Sequence, residues 1–223
     1  MTGTQGSDLN FINEVFDTDS VTAEQLDLLL ADGWRHFGTR FFRYNLNIYN
    51  DEIVRVLPLR IDLSKFDLSR SQRRVIKNNR DISVEFGPAV VTDEIQDMFD
   101  RHKQRFDHGV PDSIFDFLSR EPALVPCECQ QIVVRDDVGK LLAVSYFDIG
   151  RTSTSAIYGC FDPYEQKRSL GILTMIKVIE YSQDLGKEYY YHGYAYDASS
   201  FYDYKKRFSA IEVFDWNGNW EKF

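Results

Sequence analysis

The amino-acid sequence predicts an α/β (α+β) domain with a mixed, mainly antiparallel sheet and flanking helices. Residues 130–163 read as three consecutive strands separated by turn residues, which is typical of an antiparallel meander. A strongly amphipathic segment at 172–186 and a strand at 188–196 follow, and this order predicts a crossover helix. The chain has 223 residues, 43% of them hydrophobic, which is enough for one large folded domain.

The N-terminal part of the chain predicts a leader and one helix. We assign residues 1–20 to a flexible leader and residues 21–223 to a single domain. In VTAEQLDLLLADGW, Thr22 is followed three residues later by Gln25, and this pair predicts a capping box at the start of a helix. Gly33 is a typical residue for its end.

A strand and a helix are predicted next. Residues 52–63 have the composition of a strand, in which Pro58 indicates a sheet edge or a strand end. Residues 69–80 then predict a helix with Ser69 or Ser71 as its N-cap.

Three further elements complete the prediction. Residues 92–106 predict a helix capped by Thr92, and PDSIFDFLS predicts a short helix after it. The C-terminal EVFDWNGNWEKF predicts a hairpin with Asn217-Gly218 at its turn.

Composition and charge restrict the class of protein. The net charge is -9, but residues 1–32 hold seven acids and no Lys or Arg, so the rest has 26 cations against 28 acids. Tight nonspecific binding to long nucleic acid is therefore not expected, and we predict no DNA partner, although a local basic surface remains possible. The sequence has no apolar run of the roughly 18 residues that a membrane helix needs. It also lacks a secretory signal, so we predict a cytoplasmic protein without a membrane partner.

The three cysteines predict neither a disulfide framework nor a metal site. Their low, odd number favours a reducing compartment. Cys127 and Cys129 form a C-E-C pair with no second Cys/His pair at metal-ligand spacing, so we predict no metal and no cofactor.

A cationic helix face is predicted in DLSRSQRRVIKNNR, residues 67–80. Arg70, Arg73, Arg74 and Lys77 follow the spacing i, i+3, i+4 and i+7, so they share one side of the helix. The face is either solvated or a binding surface for RNA phosphates or for an acidic protein N-terminus. Acidic partners for i,i+4 pairs are absent from this stretch, which favours binding.

The segment QKRSLG, residues 166–171, precedes the amphipathic helix. A helix start exposes unpaired N–H groups to anions, and small residues allow close approach. The segment resembles the pyrophosphate loop Q/R-x-x-G-x-G/A of the acyl-CoA N-acyltransferase fold, with Ser169 in the first Gly position. An ordinary structural turn is the alternative interpretation.

Four segments together resemble the arginyl- and leucyl-tRNA–protein transferases, which add an amino acid to a protein's N-terminus. They are LPLRIDLSKFDLSRSQRRVIKNNRDISV, SAIYGCFDPYEQKRSLGILTMIKVIEYSQDLG, EYYYHGYAYD and YKKRFSAIE. LLLADGWRHFG is similar to a further family stretch, and the resemblance covers about residues 25–220. It implies a GNAT-like fold, an aminoacyl-tRNA donor and a protein N-terminus as acceptor.

The chain departs from this family in its cysteines. Members carry cysteines before P-x-R-I that, with an upstream pair, bind a metal, cluster or haem. The matching stretch FFRYNLNIYNDEIVRVLPLRI has none, so the N-terminal cysteine subdomain is not expected here.

The resemblance implies roles for three groups of residues. The reaction-cleft residues that relay a proton are Tyr158, Asp162 and Tyr194. The donor-binding residues are Lys167, Arg168, Ser169, Leu170, Gly171 and Tyr191. The residues that bind the acceptor or a phosphate are Arg60, Arg70, Arg73, Arg74, Lys77, Lys205 and Arg207.

The expected reaction is direct aminolysis of the aminoacyl ester, without a covalent enzyme intermediate. His192 is either a general base or a core histidine. Two other functions stay open: an N-acyltransferase that uses acetyl-CoA or another acyl-CoA, and a non-catalytic descendant that binds RNA or a protein N-terminus.

Overall fold

Nine strands form one mixed sheet, and three strands form a small second sheet, in a computed structural model that describes residues 11–106 and 109–223. The strands are β1 (Asn13–Asp17), β2 (Arg35–Phe37), β3 (Arg40–Tyr44), β4 (Leu46–Tyr49), β5 (Glu52–Asp62), β6 (Ile82–Pro88), β7 (Cys129–Asp136), β8 (Leu141–Ile149), β9 (Ser153–Phe161), β10 (Tyr189–Tyr196), β11 (Ile211–Phe214) and β12 (Trp220–Lys222). The α-helices are α1 (Ala23–Ala31), α2 (Arg70–Asn78), α3 (Asp93–Lys103) and α4 (Leu170–Asp184). Short 3-10 helices span Ile114–Asp116, Gln166–Arg168 and Phe201–Arg207.

The large sheet has the order β12-β11-β5-β10-β9-β8-β7-β6, with β4 paired to β5. Its neighbours are antiparallel except β9 and β10, which are parallel and joined by α4. A parallel pair needs such a crossover connection. The predicted fold class, a mixed and mainly antiparallel sheet with flanking helices, is confirmed.

The parallel pair separates along its length. Ser153–Ser155 of β9 pair with Tyr189–Tyr191 of β10, and the remaining residues of both strands do not pair with each other. Each strand also shifts register against its outer neighbour near this point, at Tyr146/Phe147 and at Tyr191/Gly193. Because bulges bend strands, β9 and β10 diverge into a wedge whose open end faces the start of α4.

The helices bury apolar residues on both faces of the large sheet. Leu173, Ile176 and Ile179 of α4 pack in one core cluster with Leu59 and Ile61 of β5. A separate cluster contains the apolar residues of α3 and those of β8 and β9 that point to the opposite face. In β7, Ile132 and Val134 belong to the first cluster and Val133 packs against the second, so the sheet is covered on both sides.

The predicted helix starts are confirmed by their capping contacts. Thr22 and Gln25 form a reciprocal capping box at α1, and Ser69 forms one with Gln72 at α2. The Thr92 hydroxyl accepts from the backbone N–H of Ile95 at the start of α3. These local hydrogen bonds satisfy helix donors that have no partner within the helix.

Two predictions near the N-terminus differ from the structure. β1 lies inside the predicted leader and pairs in full with β3; residues 1–10 lie outside the described part. Pro58 lies within β5 and not at a strand end. It falls between Arg55, where pairing with β4 ends, and Leu59, where pairing with β11 begins, so no neighbour on that side needs its missing N–H.

None of the helices in residues 11–106 and 109–223 combines the length and the apolar composition needed to cross a bilayer.

Candidate active site

The wedge between β9 and β10 opens into a cavity of about 690 Å³. Its walls are the diverging halves of the two strands, its floor is the start of α4, and aromatic side chains of Phe201–Arg207 close one side. A cavity of this size falls in the range of small-molecule sites. Six of the predicted site residues line it, namely Tyr158, Ser169, Leu170, Gly171, Tyr194 and Lys205.

The start of α4 presents free N–H groups to this cavity. Ser169 has left-handed backbone angles, φ 53° and ψ 47°, and its carbonyl accepts from Ile172 and Leu173 at 3.0 Å each. The N–H groups of Leu170 and Gly171 come before these and have no acceptor within the helix. Because both residues line the cavity, an anion in the wedge lies against a helix N-terminus.

Arg168, which is predicted to bind the donor, holds this loop against the end of α2. Its guanidinium donates two hydrogen bonds to the Asp81 carboxylate, at 2.9 and 2.7 Å, and one to Glu165 at 3.1 Å. The Asn79 side chain donates to the Arg168 carbonyl at 2.8 Å. The hydrogen bond from Arg168 lowers the pKa of Asp81 to about 2. Neither Arg168 nor the exposed Lys167 lines the described cavity.

Arg35 spans the apex of the wedge, a position that sequence reasoning missed. Its guanidinium donates to the carbonyl of Ala156 on β9 and to the carbonyl of Tyr191 on β10, the latter at 3.3 Å. It also donates to the Ser155 hydroxyl at 3.0 Å. Arg35 therefore satisfies the backbone carbonyls that lose their strand partners where the two strands separate.

Replacement of Arg35 by lysine is expected to lower the free energy of unfolding by about 3 kcal/mol, because one ammonium cannot reach all three acceptors. Urea denaturation measures this loss. The matched control is Arg151→Lys, whose side chain is 71% exposed and which should change stability by less than about 0.5 kcal/mol. Equal midpoints for Arg35→Lys and wild type would show that the guanidinium does not hold the apex.

Lys205 is a cation without a carboxylate partner in the described residues. Its Nζ donates to the carbonyl of Tyr194 at 3.1 Å and lines the cavity. Burial, and secondarily the charge of Arg35, lowers the pKa of Lys205 to about 7. Gly193 allows this close packing, since it has φ +101° and a methyl group there would lie 2.7 Å from Nζ.

His192 lies next to Lys205 in the cavity wall. One ring nitrogen, Nε2, bonds the carbonyl of Lys205 at 3.1 Å, and Nδ1 is buried with no hydrogen-bond partner in the described chain. Burial, followed by the charge of Lys205, lowers the pKa of His192 to about 3. The ring is therefore neutral at physiological pH, and it orients the backbone of Lys205.

The two predicted catalytic tyrosines of the cavity differ in their hydroxyl groups. The Tyr194 hydroxyl donates to the carbonyl of Gly33 at 2.6 Å, so it anchors β10 to the end of α1 and is not free for proton relay. The Tyr158 hydroxyl is buried and has no partner in the described residues. Burial raises the pKa of Tyr158, so this hydroxyl keeps its proton and can donate a hydrogen bond.

Asp162, which is predicted to be catalytic, follows β9 directly and is not part of the described cavity lining. Although burial opposes its ionisation, a hydrogen bond from Lys140 at 2.7 Å holds the pKa of Asp162 below its usual range. Its other oxygen accepts from the backbone of Tyr164 at 2.9 Å. Asp162 therefore shapes the turn that leads to the α4 loop.

Three further predicted residues also lie outside the cavity. Arg60 pairs with Glu212 at 2.7 Å and lies over the Tyr189 ring at 3.8 Å, so its charge is already matched. Tyr191 accepts from Arg60 at 3.3 Å on the sheet face away from α4. Arg207 is exposed, and it does not line the cavity of the described structure.

The predicted cationic face of α2 is exposed. Arg70, Arg73, Arg74 and Lys77 make no ion pair within residues 11–106 and 109–223, and they do not line the cavity there. Val75 and Ile76 pack on the core beside α4. The end of α2 bonds the loop before α4, so the helix and this loop are held together.

Comparison with known proteins agrees with this geometry. The family described as "Arginine-tRNA-protein transferase, C terminus" matches residues 92–215, which is more than half of the chain.

The chain belongs to this transferase family.

Relatives of the arginine-tRNA–protein transferase family extend the match. A Saccharophagus degradans protein named aspartate/glutamate leucyltransferase is 30% identical over 173 residues, which are 75% of this chain and 71% of that protein. A protein of the same name from Xanthomonas axonopodis pv. citri is 32% identical, covering 73% and 68%. One from Acinetobacter baumannii (strain ATCC 17978) is 28% identical, covering 95% and 76%. The predicted family and enzyme class, an aminoacyl-tRNA–protein transferase, are confirmed.

Solved structures support the fold alone. The structure of L-PGS from Bacillus licheniformis superposes with a TM-score of 0.52 and 14% identity, over 74% of this chain and 62% of that one. A C-terminal domain (DUF2156) from Agrobacterium fabrum gives 0.50 and 19%, over 64% of this chain and 48% of that one.

The cysteine-bound group of the transferase family does not fit this chain. The stretch before Pro58 has no cysteine, and all three cysteines of the chain are buried elsewhere, in or just before β7 and in β9. We therefore derive no step through such a group.

Proposed function

We propose that this transferase moves an amino acid, leucine as in the names of its relatives, from charged tRNA to the N-terminal amine of proteins that begin with Asp or Glu. The observation that carries the proposal is Lys205, a partly buried ammonium that lines the same cavity as the start of α4. A buried cation without a counter-ion is costly unless a ligand supplies the negative charge. An acidic side chain on the acceptor is such a ligand.

The donor end occupies the floor of the wedge in this proposal. The N–H groups of Leu170 and Gly171 hold a phosphate of the terminal nucleotide, and the ring of Tyr194 offers a face to its base. The aminoacyl ester then extends between β9 and β10 toward Tyr158. Leu170 and Gly171 keep their predicted donor-binding role in this proposal, whereas Tyr194 and Tyr158 take other roles than the predicted proton relay.

The acceptor approaches from the Lys205 side. Its carboxylate pairs with Nζ, which brings the neutral α-amine to the ester carbonyl. The new N–C bond forms as the C–O bond to the ribose 3′ oxygen breaks, and one proton passes from the amine to that oxygen. The Tyr158 hydroxyl donates to the carbonyl oxygen while this oxygen carries negative charge.

A transfer assay with leucyl-tRNA and matched peptides tests the proposal. We expect leucine to enter peptides that begin with Asp or Glu. Peptides that begin with Asn or Gln should accept it at most weakly, because their side chains lack the negative charge that pairs with Lys205. Absence of transfer to every peptide would reject the function. If acetyl-CoA and not tRNA then raised the melting temperature, the alternative acyl-CoA N-acyltransferase would be supported.

The cationic face of α2 is proposed to contact the tRNA backbone next to the cavity mouth. Replacement of Arg73 and Arg74 by alanine should weaken tRNA binding about tenfold and reduce its salt dependence, since two phosphate contacts are lost. Filter binding at several salt concentrations measures both quantities. The control replaces Arg40 and Arg151, two exposed cations away from the cavity, by alanine. Equal effects of the two double variants on tRNA affinity would show that α2 contributes only nonspecific positive charge.

A further inference from the structure

A buried group of three metal-ligating side chains lies behind the apex of the wedge. His36 is on β2, Cys127 precedes β7 and Asp148 is on β8, and each side chain is at most 4% exposed. One ligand atom from each residue lies within 4.8 Å of the other two. These residues are far apart in sequence, so the C-E-C pattern alone gives no sign of the cluster.

The contacts of His36 orient its ring toward Asp148. Its Nδ1 is 2.9 Å from the carbonyl of Gly38, which accepts only, so Nδ1 is the donor in this contact. Its Nε2 is 2.8 Å from Oδ2 of Asp148, so the second ring nitrogen faces a carboxylate. A histidine that donates one N–H to a carbonyl and presents the other nitrogen to a carboxylate has the typical arrangement of a metal ligand.

The carboxylate of Asp148 favours the metal ion. The side chain is 0% exposed, and Oδ1 has no hydrogen-bond partner in the described chain. A buried carboxylate oxygen without a partner is uncommon and costly. A metal ion among the three side chains would give the Asp148 carboxylate a partner that the described chain does not supply, and it would also bind the sulfur of Cys127.

We propose that His36, Cys127 and Asp148 bind one zinc ion or a similar divalent transition metal. Zinc bonds of about 2.0–2.3 Å hold neighbouring ligand atoms about 3.3–3.7 Å apart in a tetrahedron. The ligand atoms of the group lie within 4.8 Å of one another, so metal binding would draw the more distant atoms together and widen the 2.8 Å contact between His36 and Asp148. A thiolate and a carboxylate neutralise the two charges of the metal, which suits a buried site. A cavity of about 10 Å³ lined by His36, Asp148 and Cys129 has room for about one water as the fourth ligand.

The metal would fix the apex of the proposed active site from behind. It joins β2 to β8, and Arg35 is the residue before His36. Its role is therefore positioning, and it needs no access to substrate. The proposal does not depend on the transfer reaction, because its tests measure metal and not activity.

Metal content of the tag-free full chain, purified from zinc-supplemented medium, tests this site. We expect about one zinc per chain, with at least a tenfold weaker affinity in Cys127→Ser. The control Cys160→Ser removes another buried thiol, outside the group, and should keep the zinc. A wild-type chain that neither contains zinc nor takes it up when refolded with Zn²⁺ would overturn the proposal, as would equal zinc in wild type and Cys127→Ser.

A second measurement covers the case in which Cys127→Ser does not fold. X-ray absorption at the zinc edge of the wild-type chain should give one sulfur ligand and nitrogen or oxygen for the rest, because Cys127 is the one sulfur of the group. Zinc with no sulfur ligand would overturn the site, and two sulfur ligands would overturn the proposed ligand set by adding Cys129.

Discussion

Replacement of Lys205 by methionine is expected to lower transfer to Asp- and Glu-starting peptides about 100-fold. The variant keeps the length of the side chain and removes the ammonium that pairs with the acceptor's carboxylate, an interaction worth about 1.5–3 kcal/mol. The loss should appear in kcat/KM for the acidic peptides, while the dissociation constant of charged tRNA stays the same. A loss of tRNA affinity instead would assign Lys205 to a phosphate of the donor.

The pH dependence gives this prediction a second test. Because the pKa of Lys205 is lowered to about 7, its ammonium is present below that pH and is lost above it. The acceptor's α-amine becomes neutral above about pH 8. The profile of kcat/KM for acidic peptides is therefore expected to be bell-shaped, and its falling, alkaline limb should disappear in Lys205→Met.

Stability separates this functional role from a structural one. In the unfolded chain the lysine has its ordinary pKa near 10.4, so between about pH 7 and 10.4 the unfolded state binds more protons and stability rises with pH. At pH 6 the folded chain carries the full cost of burying the ammonium. Lys205→Met should thus unfold no earlier in urea than wild type at pH 6, although it loses the hydrogen bond to Tyr194.

Lys206→Met is the matched control for Lys205→Met. Lys206 is the next residue in the chain, and its ammonium pairs with Asp203 at 2.9 Å outside the cavity. This variant should transfer at the wild-type rate. Equal loss in both lysine variants would show that the 3-10 segment needs its charges for folding rather than for the acceptor.

Local hydrogen bonding explains which parts of the fold the sequence predicts. The capping boxes at Thr22 and Ser69 involve partners three residues away, so the starts of α1 and α2 are readable from a few letters. The short strands β2, β3 and β4 were not predicted. They have three to five residues each, and their pairing is fixed by contacts with β1 and β5 rather than by their own composition.

The candidate site is harder to predict from the sequence, because its geometry depends on backbone groups that are far apart in the chain. The small residues at Ser169 and Gly171 indicate a helix start that faces a ligand, and both line the cavity. Arg35 has acceptors 120 or more residues away, and no spacing in the sequence relates them. Gly193 was a usable signal, since a glycine inside a strand indicates close approach of another group, here Lys205.

Charged residues were the least predictable part of the site. Arg60, Arg168 and Asp162 have the residue types expected for phosphate binding or proton relay, yet each is satisfied by a charged neighbour of its own. Sequence spacing cannot show whether a charge already has a partner in the folded chain. Lys205 and Tyr158 are recognised only in the described structure, where Lys205 has no carboxylate partner and the Tyr158 hydroxyl has no hydrogen-bond partner.

Replacement of Tyr158 by phenylalanine is expected to lower kcat about 100-fold or more without loss of stability. Its ring stacks on Phe117 with centroids 4.0 Å apart, and phenylalanine keeps that contact. The hydroxyl that is removed has no partner in the described chain, so folding loses no hydrogen bond. The transition state loses a donor to its developing oxyanion, which typically costs a factor of 10² to 10³ in rate.

The opposite pattern is expected for Tyr146→Phe. The Tyr146 hydroxyl donates to the carbonyl of Val90 at 2.9 Å and is fully buried outside the cavity. This variant should lose about 1 kcal/mol of stability and keep its kcat. Single-turnover transfer from leucyl-tRNA, measured beside urea unfolding of both variants, tests the pair. No contact within the described fold explains why a polar group is kept at Tyr158. Unchanged turnover in Tyr158→Phe would show that the hydroxyl has no role in the reaction either.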